Sequence, residues 1–151
     1  MPIGNTRIHR MLKNGLKLSH VDAWRLFFQS GENSQFVIDL VTKEQLLKER
    51  VAGDGEHIGY YSFGTEIASG GEKKEGEPFN LYDTGEWQST ITLFYFDNSF
   101  VISSDPIKDE DNLYEKYGVK IVELTKESKA KIRQRMFNFY LSYVRKTFFR
   151  T

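Results

Sequence analysis

The 151 residues contain no cysteine, which excludes a disulfide framework, a thiolate zinc site and a cysteine nucleophile. Proline and histidine are scarce, at three residues each. His9, His20 and His57 lack the i, i+4 spacing that lets one helix face hold a metal, so they read as solvated or capping groups. No apolar run reaches the roughly 18 residues of a membrane span, and scattered bases stand where a signal peptide has its apolar core. The expectation is a soluble protein that starts in a cytoplasm and has no membrane partner. Net charge is missing too, since 21 Lys and Arg balance 21 Asp and Glu.

That balance hides a segregation. Residues 1–25 hold five bases and one acid, residues 126–151 hold eight bases and one acid, and the stretch between holds eight bases and 19 acids. An acidic body with basic ends suits head-to-tail or side-by-side assembly, because unlike faces attract. Two amphipathic helices carrying solvated bases would look the same. Aromatic residues are plentiful, with 12 Phe and 8 Tyr, and either fill a core or anchor subunit contacts.

The chain reads as an N-terminal arm over 1–18 and a single α+β domain over 19–151, with a long loop at about 53–80. Gly4, Asn5, Asn14 and Gly15 interrupt the arm. Val21, Trp24, Phe27 and Phe28 have helical spacing, whereas the apolar run 36–41 is ambiguous between helix and strand. Thr42 to Gln45 matches a capping box, which starts a short helix at about Lys43. Alternation over 87–104, broken by Asp97-Asn98, predicts a β-hairpin that centres an antiparallel sheet. Asp109 is a candidate cap for a short helix ending at Gly118, and 119–122 a candidate strand. Thr125 caps a helix over about 126–148. From Met136 onward that helix is apolar on two sides, which asks for cover from its own domain and from something else. Tyr140, Tyr143, Arg145, Phe148 and Phe149 are the interface candidates.

Catalytic patterns fail on inspection. Gly71 to Gly76 has phosphate-loop glycine spacing, but Glu77-Pro78 stands where Lys and Ser or Thr are needed. Gly59 to Gly64 misses the nucleophile-elbow spacing by one residue. Asp105, Asp109 and Asp111 lack the sixth-position glycine and terminal Glu of a calcium loop. Asp83, Glu86 and His57 have the residue types of an acid–base or metal site and no supporting spacing. Asp83-Thr84-Gly85 is better read as a structural corner, with Asp83 accepting from the following amides and Gly85 supplying a positive φ.

In order along the chain stand Gly53-Asp-Gly-Glu-His-Ile-Gly59-Tyr-Tyr-Ser62, Gly76-x-Pro78, Leu81-Tyr-Asp83-Thr84-Gly85-Glu-Trp-x-Ser89, the hairpin, Leu113-Tyr-Glu-Lys-Tyr-Gly118, and Leu124-Thr125 before the last helix. Over roughly 40–148 this order resembles the tailed-bacteriophage virion-morphogenesis and tail-completion proteins, in the version found in phages and prophages of Bacteroides-type hosts. Lys120 to Leu124 stands where that family often has Pro-Phe-Leu, and Tyr117 where it often has Phe. The resemblance implies a structural virion protein of the head–tail connector, neck or tail-completion ring, joining portal and tail. It implies no catalytic residues, no cofactor and no metal. Its partners would be copies of itself in a homo-oligomeric ring and adjacent portal, neck or tail proteins, with DNA passing through the channel without specific binding. The location would be the virion neck or tail, after assembly in the host cytoplasm. The alternative from a different class is a small metal-dependent phage nuclease or other nucleic-acid-processing enzyme, suggested by acidic loops and basic ends.

Overall fold

Hydroxyl caps open several helices. In the computed structural model, which describes residues 6–149, Thr6 accepts from the His9 amide at 3.2 Å, Ser19 from Asp22 at 3.1 Å and Thr125 from Ser128 at 3.1 Å. Each takes one of the four amides that a helix start leaves unpaired. The helices so begun are α1 (Arg7–Gly15), α2 (His20–Gln29) and a long C-terminal helix described below. Within the stretch read as an arm, Arg7–Gly15 form a helix that the sparse apolar residues had not advertised, and Asn14 and Gly15 lie at its end.

α3 (Gly31–Asp39) runs directly into a π-helix, Leu40–Glu49. The ambiguous run 36–41 is therefore helical, and no helix starts at Lys43. Thr42 is inside the helix and donates back to the Ile38 carbonyl at 3.0 Å, as an interior hydroxyl does. Gln45 is fully buried and serves another part of the chain. The segment ends at Arg50, whose left-handed φ of 60° returns its N–H to the Gln45 carbonyl.

The 53–80 region is not structureless. It holds α4 (Phe63–Ala68), begun by Ser62 accepting from the Thr65 amide at 3.3 Å. A short antiparallel pairing joins its two arms, with Tyr61 N–H to Glu77 O at 2.9 Å and Phe79 N–H to Gly59 O at 3.0 Å. α5 (Glu86–Ser89) is a single helical turn, so the hairpin begins later than the alternation from Trp87 suggested. β1 (Thr92–Tyr95) pairs antiparallel with β2 (Phe100–Ser103), with Thr92 opposite Ser103 and Tyr95 opposite Phe100. β3 (Ile107–Lys108) and β4 (Asp111–Asn112) form a second small pair. Asn112, and not Asp109, caps α6 (Leu113–Tyr117), accepting from Tyr114 and Glu115; Asp109 sits in the β3–β4 turn with φ of 51°. Val119–Val122 is a 3-10 turn where a strand was expected. α7 (Lys126–Phe148) completes the chain.

The fold is α+β. Its core is Phe27 and Phe28 of α2, Val37, Leu40, Val41 and Leu46 of α3 and the π-helix, Trp87, Ile91, Leu113, Ile121, Leu124 and Ile132. The hairpin is pinned to α2. Trp24 Nε1 donates to the Phe96 carbonyl at 2.6 Å, Arg25 pairs with Asp97 at 2.7 Å, and Tyr95 stacks on Phe28 at 5.6 Å. Trp87 Nε1 donates to the Asp105 carbonyl at 2.7 Å, which satisfies the indole while its rings fill the core. Among the described residues, no helix is long and apolar enough to cross a membrane.

Candidate assembly surfaces

α7 has 23 residues and is therefore about 34 Å long. Its two ends carry different surfaces. At the C-terminal end, α1 lies across it, with Gly15 so close to Phe148 that an added Cβ would stand 2.8 Å from the ring. Further along, α2 covers it through the His20–Tyr140 stack at 5.4 Å and the Phe27–Phe139 edge contact at 5.5 Å. Arg135 donates to Asn33 at 2.7 Å and to Glu32 at 2.6 Å while lying 4.5 Å over the Phe36 ring.

These contacts divide the interface candidates between covered and open positions. Tyr140 and Tyr143 are half-buried, 6.4 Å apart, with Tyr140 against α2; Phe148 is half-buried beneath α1. One of the two greasy sides of α7 is thus covered by the chain's own first two helices. Phe149 remains 56% exposed, and Arg145 is exposed. Arg150, the third base of that cluster, lies outside the described residues.

More exposed apolar surface lies on α1 and on α7 itself. Ile8, Leu12 and Leu16 recur at four-residue spacing on α1 and its C-cap, and Leu16 is 89% exposed. Met11 and Gly15 on the same helix are turned further inward. Phe137 and Leu141 of α7 are exposed as well. Leaving such side chains in water forgoes roughly 1.5–3 kcal/mol each. The signal was present in the sequence as the 8, 12, 16 spacing, but the neighbouring Asn and Gly masked it. Around these residues, Arg7, Arg10, Lys13, Lys17, Arg133, Arg145 and Lys146 make no ion pair among the described residues. Between α2 and α7 a mostly apolar groove of about 450 Å³ runs past His20, Trp24, Met136, Phe137 and Tyr140.

The segment that precedes α7 is attached to the 53–80 region. Gly53 N–H donates to the Lys120 carbonyl at 2.8 Å, Asp54 pairs with Lys120 at 2.8 Å, and Phe79 meets Tyr117 edge-on at 5.4 Å. The hydrogen bond from Lys120 holds the Asp54 carboxyl below its usual range, helped by the Glu56 amide. At the same end of the fold, the hydrogen bond to Asp111 raises Lys116. α4 presents Phe63 and Ile67, one helical turn apart and 59% and 65% exposed, with Tyr60 nearby in sequence and also exposed. Residues 54–86 contain eight acids against two lysines. The 54–86 segment is thus apolar and acidic where α1 and the C-terminal end of α7 are apolar and basic, and Lys126 and Lys129 stand exposed at the start of α7.

The corner 83–85 meets this region through the Asp83–Lys73 pair. Gly85 adopts φ of 84°, and Thr84 Oγ1 accepts from the Glu86 amide at 3.3 Å. Asp83 does not accept from the backbone as expected; it faces Lys73 at 3.5 Å, because Thr84 stands one residue closer to the turn amide. Asp83, Glu86 and His57 do not converge: His57 Nδ1 contacts the Arg50 carbonyl at 3.0 Å. Among the described residues, no group of three or more His, Asp or Glu side chains is placed to hold a metal ion. No family model, curated protein or solved structure matches this chain in comparison.

Proposed function

We propose that the chain is a structural virion protein of the head–tail connector or tail-completion ring, joining portal and tail during phage assembly. The observation that carries this reading is the pair of exposed apolar surfaces, one on α1 and the C-terminal end of α7 beside cations that make no ion pair among the described residues, the other on α4 within an acidic segment. A small protein that keeps two such surfaces in water has partners for them. The resemblance supplies the finer reading. It rests on the order of corner, hairpin, glycine-closed helix and capped last helix in the sequence from Leu81 to Phe148. In this reading copies of the chain form a ring, portal, neck or tail proteins flank it, and the genome passes through without specific contacts.

The test is genetic and structural. Deleting the coding sequence from a phage that carries it is expected to leave DNA-filled heads and free tails, restored by expression in trans. Mass spectrometry of purified particles should find the chain in intact virions. Infectious particles of normal yield without it would overturn the proposal. Duplex cleavage that depends on added magnesium would favour the nuclease alternative.

A further inference from the structure

The same two surfaces are complementary to each other. We propose that a second copy of this chain is the occupant of the basic face of α1 and the C-terminal end of α7, docking there through its acidic α4 face. This takes the assembly reading above and names the mating surfaces within it.

Three observations carry the proposal. The first is charge. Arg7, Arg10, Lys13 and Lys17 on or beside α1 have no anionic partner among the described residues, whereas Glu72 and Glu75, beside α4, are exposed. The second is apolar content at the centre of each charged surface: Ile8, Leu12 and Leu16 on one, Phe63 and Ile67 on the other, each set repeating at one-turn spacing along a helix. An apolar centre with a charged rim is the composition of a protein contact surface. The third is that both surfaces stay open in one chain: Leu12, Leu16, Phe63 and Ile67 are all more than half exposed, so neither surface covers the other.

Two different surfaces on one molecule give a heterologous contact, which propagates into closed rings or open filaments. It also has a signature that a two-fold dimer lacks. Copies blocked on only one face should be monomers by themselves and should pair when mixed.

The experiment uses light scattering and sedimentation on the full chain. Wild type should grow in mass with concentration beyond twice its 17.6 kDa. Leu12→Asp with Leu16→Asp should be monomeric, and so should Phe63→Asp with Ile67→Asp. A 1:1 mixture of the two should form a dimer and go no further. All four positions are exposed, and unchanged circular-dichroism melts verify that each variant folds. A second set changes charge only. Lys13→Glu with Lys17→Glu should weaken association by on the order of tenfold at low salt, and adding Glu72→Lys with Glu75→Lys should restore it. A mixture that stays monomeric, or a one-face variant that still dimerises alone, overturns the proposal. So does wild type that remains at monomer mass at every concentration while sedimenting with anionic phospholipid vesicles or binding duplex DNA. None of these failures would remove the chain from purified virions, so the virion reading is tested separately.

Discussion

Gln45 and Thr125, 80 positions apart, are joined by a hydrogen bond in which the Thr125 backbone N–H donates to Gln45 Oε1 at 3.0 Å. The other half of the same amide completes the pairing, with Gln45 Nε2 donating to the Glu123 carbonyl at 2.9 Å. A buried side-chain amide thus substitutes for a neighbouring strand and satisfies the extended backbone that leads into α7. Gln45→Ala leaves a buried donor and a carbonyl without partners. The expected loss is about 2–6 kcal/mol in urea unfolding, from about 1–3 kcal/mol for each of the two orphaned groups. A loss below about 1 kcal/mol would show that water replaces the amide.

Gly53 and Gly31 should respond in opposite directions to the same substitution. A Cβ on Gly53 would stand 2.5 Å from Glu123 Cβ and 2.9 Å from its carbonyl, so backbone has to move. Gly53→Ala is expected to cost about 1–3 kcal/mol, the range for overpacking. Gly31, in the first turn of α3, has nothing within 4 Å of the added carbon. Gly31→Ala should stabilise by about 0.4–1 kcal/mol through a less flexible unfolded chain. Thermal melts of the pair read both signs.

At the corner, the order of effects follows the hydrogen bonds. Gly85→Ala should cost about 1–2 kcal/mol, because φ of 84° is strained for any residue with a side chain and Tyr82 lies 3.1 Å from the new carbon. Thr84→Ala should cost about 0.5–1.5 kcal/mol for the turn hydrogen bond it loses. Asp83→Ala should fall within about 0.5 kcal/mol of wild type, since its Lys73 contact is solvated. A melt in which Asp83→Ala is the most damaging of the three would reverse this account.

Asp54 gives a pH dependence with a definite sign. Lys120 and the Glu56 amide lower its pKa in the folded chain. A depressed carboxyl contributes stability above its unfolded value of about 3.9, and that contribution fades as pH falls through the folded value. The difference in urea midpoint between wild type and Asp54→Asn should therefore be present at pH 7 and close between about pH 5 and pH 2. A difference that persists unchanged at pH 2 would assign it to shape and not to charge.

What the sequence determined alone was whatever depends on near neighbours. Thr125 caps α7 because its hydroxyl reaches an amide three residues on, and Asp97-Asn98 turns the hairpin between two β-branched, aromatic runs. The charge segregation was legible as well, being a count. Tertiary structure decided the rest. Gln45 had the spacing of a cap partner, but burial beside residues 123–125 offered its amide two backbone groups that no local reading can see. Val119–Val122 has strand composition yet lies in a 3-10 turn that follows Gly118 at φ of 80°, and the core takes Ile121 and Val122 together. Which side of α7 stays open was settled by α1 and α2. They bring Phe148, Tyr140 and Phe139 under cover and leave Phe137, Leu141 and the Ile8–Leu12–Leu16 row in water, since burial depends on what packs opposite and periodicity only names the candidates.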